Sequence, residues 1–294
     1  MPVIQPPPVD MVAILPLIIV SVTAMVVLIV GLFVRHEQSP VLAAISLVGV
    51  ALAFVATIAL WGQDRSAFSG LVVVDSFFVF FGAVCLGIVA LTIVLSSEFV
   101  NREGFSAGEY YTLLLFTAAG MLILTSSRDL IALLIGLEVL SISLYVLAGF
   151  ARERLTSEEA AIKYFLLGAF SSAFFLYGVA LLYGYAGSVQ LSRIAEASAG
   201  TDRPDTLLFG GLALLIIGLL FKGSVGPFHT WTPDVYQGAA TPVTAFMAAC
   251  TKVAAFGAIL RVLTVGFEGT RWEWRGLLWG VAIVSMVIGA VPSV

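Results

Sequence analysis

Charged residues and cysteines are scarce in this sequence. Asp, Glu, Lys and Arg make up 11% of its 294 residues, where a soluble globular protein has about 25%. The net charge is −4, and no cluster of Lys or Arg is available to bind the phosphates of a nucleic acid. The two cysteines, Cys85 and Cys250, lie inside apolar runs and indicate neither a disulfide framework nor a metal site. A soluble domain, a nucleic-acid-binding protein and a disulfide-rich scaffold are therefore excluded.

Binding motifs for nucleotides and redox groups are also missing from the sequence. It contains no Cys-x-x-Cys pair, no glycine-rich phosphate loop and no dinucleotide fingerprint. Its two histidines, His36 and His229, are too far apart among the predicted spans to ligate one haem. We therefore expect that this chain binds no cofactor, carries no electrons and hydrolyses no nucleotide.

Apolar residues, in contrast, are abundant and occur in long runs. They make up 60% of the sequence, enough for about eight or nine helices of the roughly 20 residues needed to cross a membrane. The composition predicts an all-α, polytopic membrane protein, and the absence of a basic region in MPVIQPPPVD predicts no removable signal peptide. The nine predicted spans lie at 11–34, 41–61, 75–95, 110–127, 129–150, 158–186, 206–239 with a break after 222, 242–265 and 276–294.

The stretch 110–150 must fold as a hairpin. A single helix over these residues would be about 60 Å long, twice the thickness of the hydrocarbon core of about 30 Å. Its main polar interruption is Ser-Ser-Arg-Asp at 126–129, so we expect the turn there, with Asp129 as the N-cap of the second helix. The polar links at 96–109, 187–205 and 266–275 predict solvated loops.

The seventh span is predicted to be discontinuous. Lys222 ends an apolar run and is followed within five residues by two glycines and a proline, a composition that ends a helix. Residues 223–241 hold only two ionisable groups, His229 and Asp234, whereas the link 187–205 holds five. A solvated loop should resemble the second segment, so we predict that the broken segment re-enters the protein at membrane depth, where Lys222 faces a wet cavity.

Lys252 lies near the middle of its span. It is about 15 Å from the span's end, too deep for a side chain about 6 Å long to reach water. It could form a structural pair that locks two helices, or it could carry protons, and we favour the second because ionisable residues inside a membrane usually mark transport paths. Arg261 lies near the end of the same span and is expected to extend to the interface.

Glu138 provides the opposite charge in the fifth span. It would lie about 14 Å from the start of that span, and Ser141 and Tyr145 follow on the same helix face. An isolated carboxylate at this depth would be protonated, whereas a neighbouring lysine would allow it to ionise. The partner could be Lys163 or Lys222.

Two further polar residues, Lys163 and His229, each have two possible interpretations. Lys163 is about five residues into its span and could equally extend to the interface beside the glutamates at the start of that span. His229, in the segment FHTWTPD, could be a hydrogen-bonded residue of the helix break or a proton relay. Gly168, Ser172 and Ala173 are interpreted as sites of close helix packing rather than of chemistry.

Three stretches resemble subunit N of the proton-translocating NADH-quinone oxidoreductase, respiratory complex I. They are LEVLSISLYVLAGF around Glu138, EEAAIKYFLLGAFSSAFFLYGVALLYG around Lys163, and FKGSVGPFHTWTPDVYQGAATPVTAFMAACTKVAAFGAILRVL, which contains Lys222 and Lys252. The third stretch resembles the N subunit more than the L and M subunits or the multisubunit cation/proton antiporters, in which it reads closer to PFHTWLPDA. The resemblance covers 110–265.

The resemblance implies roles for individual residues. Glu138 and Lys222 correspond to the antiporter-type glutamate–lysine pair, Lys163 to the lysine of the sixth span, and Lys252 to the central lysine where two half-channels meet. With His229 as a possible relay, these five residues form the expected proton-transfer site. The resemblance places NADH, FMN, Fe–S clusters and quinone in partner subunits.

The resemblance also implies a division of the chain. Residues 1–109 would form N-terminal helices, 110–265 an antiporter-like five-helix repeat, and 266–294 the first helix of a second, inverted repeat. The family continues with four or five further helices that this sequence lacks. The chain is therefore expected to be a truncated product, a fragment or one piece of a split subunit.

The expected function is proton translocation coupled to quinone reduction, as a subunit of a translocase. Expected partners are other membrane subunits of complex I, especially antiporter-like and small ones, together with lipid and protons but no nucleic acid. The expected location is a bacterial plasma membrane. Two alternatives remain open: a subunit of a multisubunit sodium or potassium/proton antiporter, and a structural subunit without transport of its own.

Overall fold

The computed structural model describes residues 9–34, 39–199 and 205–290. Eight of its helices are long and apolar enough to cross a membrane, and α1 is a shorter apolar helix of 17 residues. These nine helices confirm the prediction of an all-α, polytopic membrane protein; His36 lies outside the described residues. The apolar helices are α1 (Leu15–Gly31), α2 (Ser39–Ala59), α3 (Ser76–Arg102), α4 (Ala107–Ser126), α5 (Leu130–Ala148), α6 (Leu155–Ala186), α8 (Thr206–Gly223), α10 (Thr241–Arg261) and α11 (Arg271–Ala290), and the short helices are α7 (Leu191–Ser198) and α9 (Thr232–Gly238).

Aspartates begin several of the long helices. A carboxylate at this position accepts hydrogen bonds from the first backbone N–H groups, which have no partner inside the helix. Asp75 accepts one from Phe78 at 2.8 Å, and Asp129 accepts two from Ile131 and Ala132 at 2.9 and 3.1 Å. The predicted hairpin turn before α5, with Asp129 as its N-cap, is therefore confirmed.

Small residues allow α4 and α5 to pack closely. A Cβ atom added at Gly120 would lie 2.5 Å from the backbone nitrogen of Leu140, and one at Gly136 would lie 2.7 Å from that of Leu124. Either contact is shorter than two non-bonded atoms allow. Glycine at both positions therefore sets the separation of the two helices and with it the position of the polar face of α5.

Two of the predicted loops are shorter than expected. Helix α3 continues to Arg102 and α4 begins at Ala107, so most of 96–109 is helical. The hydropathy of the sequence marks where the apolar residues end, whereas a helix can extend beyond the membrane core into water. Similarly, a short helical turn at Glu268–Thr270 and the start of α11 occupy most of 266–275.

The third predicted loop, 187–205, contains helix α7. Its Leu191 and Ile194 side chains are fully buried, and the helix packs against the π-helical turn Val262–Gly266 that follows α10. Of the charged residues that indicated a solvated loop, Arg193 and Glu196 are exposed on α7, Asp205 caps the start of α8, and the other two lie outside the described residues.

A small β-hairpin that the sequence analysis did not predict precedes α3. Strands β1 (Arg65–Ala67) and β2 (Val72–Val74) pair in antiparallel register, and Val72 also forms a bridge with Ser127 in the α4–α5 turn. The hairpin therefore positions the start of α3, including Asp75, beside this turn. Helix α10 packs against α3 and α8, and α6 packs against α5, α8 and α9.

Candidate functional site

The seventh predicted span is broken, as expected. Helix α8 ends at Gly223, and Ser224 adopts a left-handed conformation with φ of 55°. The chain then turns and forms α9 before α10 begins at Thr241. Proline-containing residues 225–231 cannot continue α8, because proline lacks the N–H that a helix interior requires. Trp231, at the end of this turn, is 1% exposed, so the break lies against the protein core.

Lys222, in the last turn of α8, is enclosed by hydroxyl groups and aromatic rings. It is 3% exposed. Its Nζ donates hydrogen bonds to Ser141 Oγ at 2.9 Å and to Tyr164 Oη at 2.8 Å. It also lies 4.9 and 5.6 Å from the ring centres of Tyr164 and Tyr145. The polar face of α5 predicted from the sequence therefore does meet Lys222.

Glu138 lies on this face but does not form the expected ion pair. Its carboxylate accepts a hydrogen bond from Ser172 on α6, and among the described residues no ion pair joins it to Lys222 or Lys163. Ser172, interpreted above as a packing residue, is thus a polar contact of this half-buried carboxylate. The sequence could not show this, because a serine in a small-residue stretch is typical of close helix packing. Gly168 does pack closely, against the Tyr145 side chain.

Lys252 is also held by hydroxyl groups. Its Nζ donates to Ser224 Oγ at 2.8 Å and to Tyr236 Oη. The same nitrogen lies 5.3 Å from the ring centre of Trp231 and 5.0 Å from that of Tyr236. Lys252 therefore contacts the broken segment, with Ser224 at the end of α8 and Tyr236 on α9, and forms no ion pair with a described residue.

Lys163 differs from the other two lysines because it is paired with acids. Its Nζ lies 2.6 Å from Glu159 and 2.6 Å from Asp234 on α9, and its side chain is 41% exposed. This position fits the reading in which Lys163 extends toward the interface beside a glutamate of its own span. Lys163 and Lys252 therefore both contact α9, whereas Lys222 lies in the last turn of α8 and contacts α5 and α6.

His229 lies in the turn between α8 and α9. Its Nδ1 atom is buried and has no hydrogen-bond partner among the described residues, and Thr232 Oγ1 is in the same situation. Buried polar atoms without a protein partner are usually satisfied by water. The histidine is thus part of the helix break, and its predicted hydrogen bond to the protein is not formed through Nδ1.

Arg261 does not extend to the interface, which corrects the sequence-based expectation. It is 2% exposed and forms two hydrogen bonds with Asp75, both at 2.8 Å. Its guanidinium also lies 4.5 Å from the ring centre of Phe77. The position of Arg261 near the end of a span indicated access to water, but the start of α3 covers it.

Three further aromatic residues, Tyr164, Trp231 and Tyr236, complete the site and were not singled out from the sequence. Tyr164 and Trp231 stack at 4.5 Å between ring centres with an angle of 12° between planes, and Tyr236 meets Trp231 edge-on at 6.1 Å. Tyr164 follows Lys163, and the other two lie in the broken segment. Aromatic residues are so frequent in membrane helices that sequence alone does not separate these from packing residues.

Comparisons with known proteins identify the family of this chain. The family model described as NADH:quinone oxidoreductase/Mrp antiporter, TM matches residues 127–294, more than half of the chain. The NADH-quinone oxidoreductase subunit N of Trichlorobacter lovleyi is 44% identical over 277 residues, which are 94% of this chain and 57% of that protein. The protein of the same name from Saccharopolyspora erythraea is 70% identical over 184 residues, or 62% of this chain and 36% of that protein.

A solved structure is also similar. A chain of respiratory complex I from Thermus thermophilus with bound aureothin is 39% identical, with a TM-score of 0.70 that covers 84% of this chain and 52% of that chain. This chain spans 36% to 57% of the length of the two curated relatives. The matched residues 127–294 begin at the α4–α5 turn and include Glu138 and all three lysines. The chain therefore belongs to the NADH:quinone oxidoreductase/Mrp antiporter transmembrane family.

Proposed function

We propose that this chain is a membrane subunit, of the N type, of an NADH-quinone oxidoreductase and that it transfers protons while quinone is reduced elsewhere in the assembly. The names of its relatives and the motifs around Glu138, Lys163 and Lys252 support this assignment. The observation that carries it concerns the partners of two lysines: Lys222 and Lys252 each donate hydrogen bonds to two hydroxyl groups, and neither pairs with a carboxylate of the described residues.

Hydroxyl partners suit a lysine that gains and loses a proton. A hydroxyl accepts a hydrogen bond from an ammonium and can rotate to donate one to the neutral amine. A carboxylate partner, in contrast, would be left as an unpaired buried charge whenever the lysine lost its proton. Lys222 and Lys252 can therefore change their protonation state without breaking an ion pair.

Glu138 would act as the charge that controls Lys222. Glu138 lies on the polar face of α5, and Lys222 of α8 contacts the same face through its hydrogen bond to Ser141. At a separation of about 6 Å and an effective dielectric constant of about 20, the attraction of a carboxylate for an ammonium is about 3 kcal/mol. Neutralising or displacing Glu138 would remove this attraction and favour proton transfer from Lys222 toward Lys252.

Other subunits of the assembly would carry out the electron transfer from NADH to quinone. NADH, FMN, Fe–S clusters and quinone would be bound by other subunits, and redox energy would reach this chain through neighbouring antiporter-like and small membrane subunits. The bacterial sources of the relatives support a bacterial plasma membrane as the location. Each proton moved outward works against about 2.3 kcal/mol per 100 mV of membrane potential.

A cation antiporter subunit is the second candidate. The matched family includes Mrp antiporters, and the Glu138 carboxylate with the Ser172 hydroxyl offers oxygen atoms of the kind that bind Na⁺. The two candidates differ in their requirement for sodium. Proton uptake that is unchanged when sodium is replaced by choline supports proton translocation, and sodium-dependent uptake supports the antiporter.

The proposed function is tested with Lys222→Met in the purified assembly that contains this chain, reconstituted into vesicles. We expect a normal amount of assembled complex and at least about a tenfold loss of proton uptake per electron, because methionine cannot carry a proton. Arg193→Gln, which removes an exposed pair with Glu196 on α7, is the control and should behave like the parent. Full proton uptake per electron by an assembled Lys222→Met complex would reject the proposal.

A further inference from the structure

Lys222 and Lys252 lie on opposite sides of one pair of stacked rings. The Lys222 ammonium lies 4.9 Å from the ring centre of Tyr164, and the Lys252 ammonium lies 5.3 Å from that of Trp231. The two rings are 4.5 Å apart and nearly parallel, at 12°. The order of groups is therefore cation, ring, ring, cation.

The ring pair also interrupts the polar contacts of the site. Lys222 bonds to Ser141 and Tyr164, and Lys252 bonds to Ser224 and Tyr236. Across the part of the chain that the structure describes, no hydrogen bond joins these two groups. A proton passing directly from one lysine to the other would have to pass the faces of two rings, which neither accept nor relay a proton.

The position of Trp231 is set by the helix break. Its indole N–H donates to the carbonyl of Phe221 at 3.1 Å, which belongs to the last turn of α8. The side chain is 1% exposed, and Tyr164 is fully buried. One ring of the pair thus comes from the broken segment and the other from α6, so that a relative movement of these two elements would separate the rings.

We propose that Trp231 and Tyr164 form an aromatic partition that blocks proton transfer between Lys222 and Lys252 at rest and opens when Trp231 moves with the broken segment. This proposal rests on the proposed function and assigns positioning and gating residues to it. The apolar faces exclude water from the gap, and each face attracts the ammonium beside it. Withdrawal of Trp231 would admit water, which can carry the proton across.

The test measures passive proton leak without redox turnover. The purified assembly is reconstituted into vesicles that contain a pH-sensitive dye, a pH gradient is imposed, and valinomycin with potassium removes the electrical potential. We expect Trp231→Ala to increase the leak about tenfold, which corresponds to the loss of about 1.4 kcal/mol of barrier. Trp231→Phe, which keeps an apolar ring in the gap, should stay close to the parent.

Trp274 provides the matched control. Its indole also donates to a backbone carbonyl, that of Phe267 at 2.8 Å, but it does not contact either lysine. Trp274→Ala should leave the leak unchanged, and addition of Lys252→Met to Trp231→Ala should abolish the extra leak. A parent-like leak in assembled Trp231→Ala, or an equal leak in Trp274→Ala, would overturn the partition.

A second variant keeps the test decisive if Trp231→Ala does not assemble. Trp231→Leu fills part of the same volume without a flat ring, so we expect a smaller increase in leak, and an assembled Trp231→Leu complex with no increase would also overturn the partition. Failure of the proposed function has a different signature, which is normal proton uptake per electron in Lys222→Met. Because the leak is measured without electron transfer, the two outcomes are independent.

Discussion

Asp75 and Arg261 are 186 residues apart in the sequence and form two hydrogen bonds of 2.8 Å in the structure. Asp75 also caps α3 and accepts a hydrogen bond of 2.9 Å from Arg128. Arg261 ends the helix that carries Lys252. The pair therefore fixes the end of α10 to the start of α3 and limits how far Lys252 can move relative to the helix break.

Replacement of Arg261 by leucine should destabilise the fold. Removal of one partner of a buried ion pair leaves the other charge without its main partner and costs about 3 kcal/mol. Thermal unfolding of the purified protein in detergent measures the loss. Arg193→Leu, which breaks an exposed pair, should cost at most about 1 kcal/mol. Equal stability of Arg261→Leu and the parent would show that the pair does not anchor α10.

The same pair predicts a pH dependence of stability. Burial alone would raise the pKa of the Asp75 carboxyl, but the hydrogen bonds and charge of Arg261, with smaller help from Phe78 N–H and Arg128, lower this pKa from 3.8 to about 2. A lowered pKa means that the stabilisation is complete above about pH 4, the range of an unfolded Asp, and is lost as the pH falls toward 2.

The measurement compares the parent with Asp75→Asn between pH 6 and pH 2. We expect the difference in unfolding free energy to be constant above about pH 4 and to shrink below it. A difference that stays constant down to pH 2 would mean that the Asp75 carboxyl is not the source of the pH dependence.

Lys252→Met should separate assembly from transport. The lysine is held by two hydroxyls, and its removal leaves no buried charge unpaired, so the variant should assemble as well as the parent or better. Proton uptake per electron should nevertheless fall at least about tenfold. If the variant assembles poorly while the little that forms translocates protons normally, Lys252 is a structural residue.

Cysteine labelling should define the depth of the broken segment. Val235 on α9 is fully buried, whereas Gln237 on the same helix is exposed in the isolated chain. If the segment re-enters the protein at membrane depth, a membrane-impermeant maleimide should label neither Val235→Cys nor Gln237→Cys in intact vesicles. Labelling after detergent solubilisation is the control for Gln237→Cys. Rapid labelling of Gln237→Cys in vesicles would place this face of α9 in water.

Hydropathy predicted the helices well because the membrane imposes a simple rule on composition. Nine apolar runs became nine apolar helices, and the glycine and proline residues after Lys222 predicted the end of α8. Helix bounds at the membrane surface were less accurate. The end of an apolar run shows where lipid ends, but α3 and α11 extend into the predicted loops.

The sequence by itself determined which ionisable residues lie inside membrane-spanning helices, since a lysine or glutamate within an apolar run is visible without a structure. Only the tertiary structure decided their partners. It placed Lys222 against Ser141 and Tyr164 rather than in an ion pair with Glu138, and it buried Arg261 against Asp75. The physical reason is that depth within a helix follows from counting residues, whereas contacts between helices depend on their rotation and separation. Those are set by small residues and turns distributed along the whole chain.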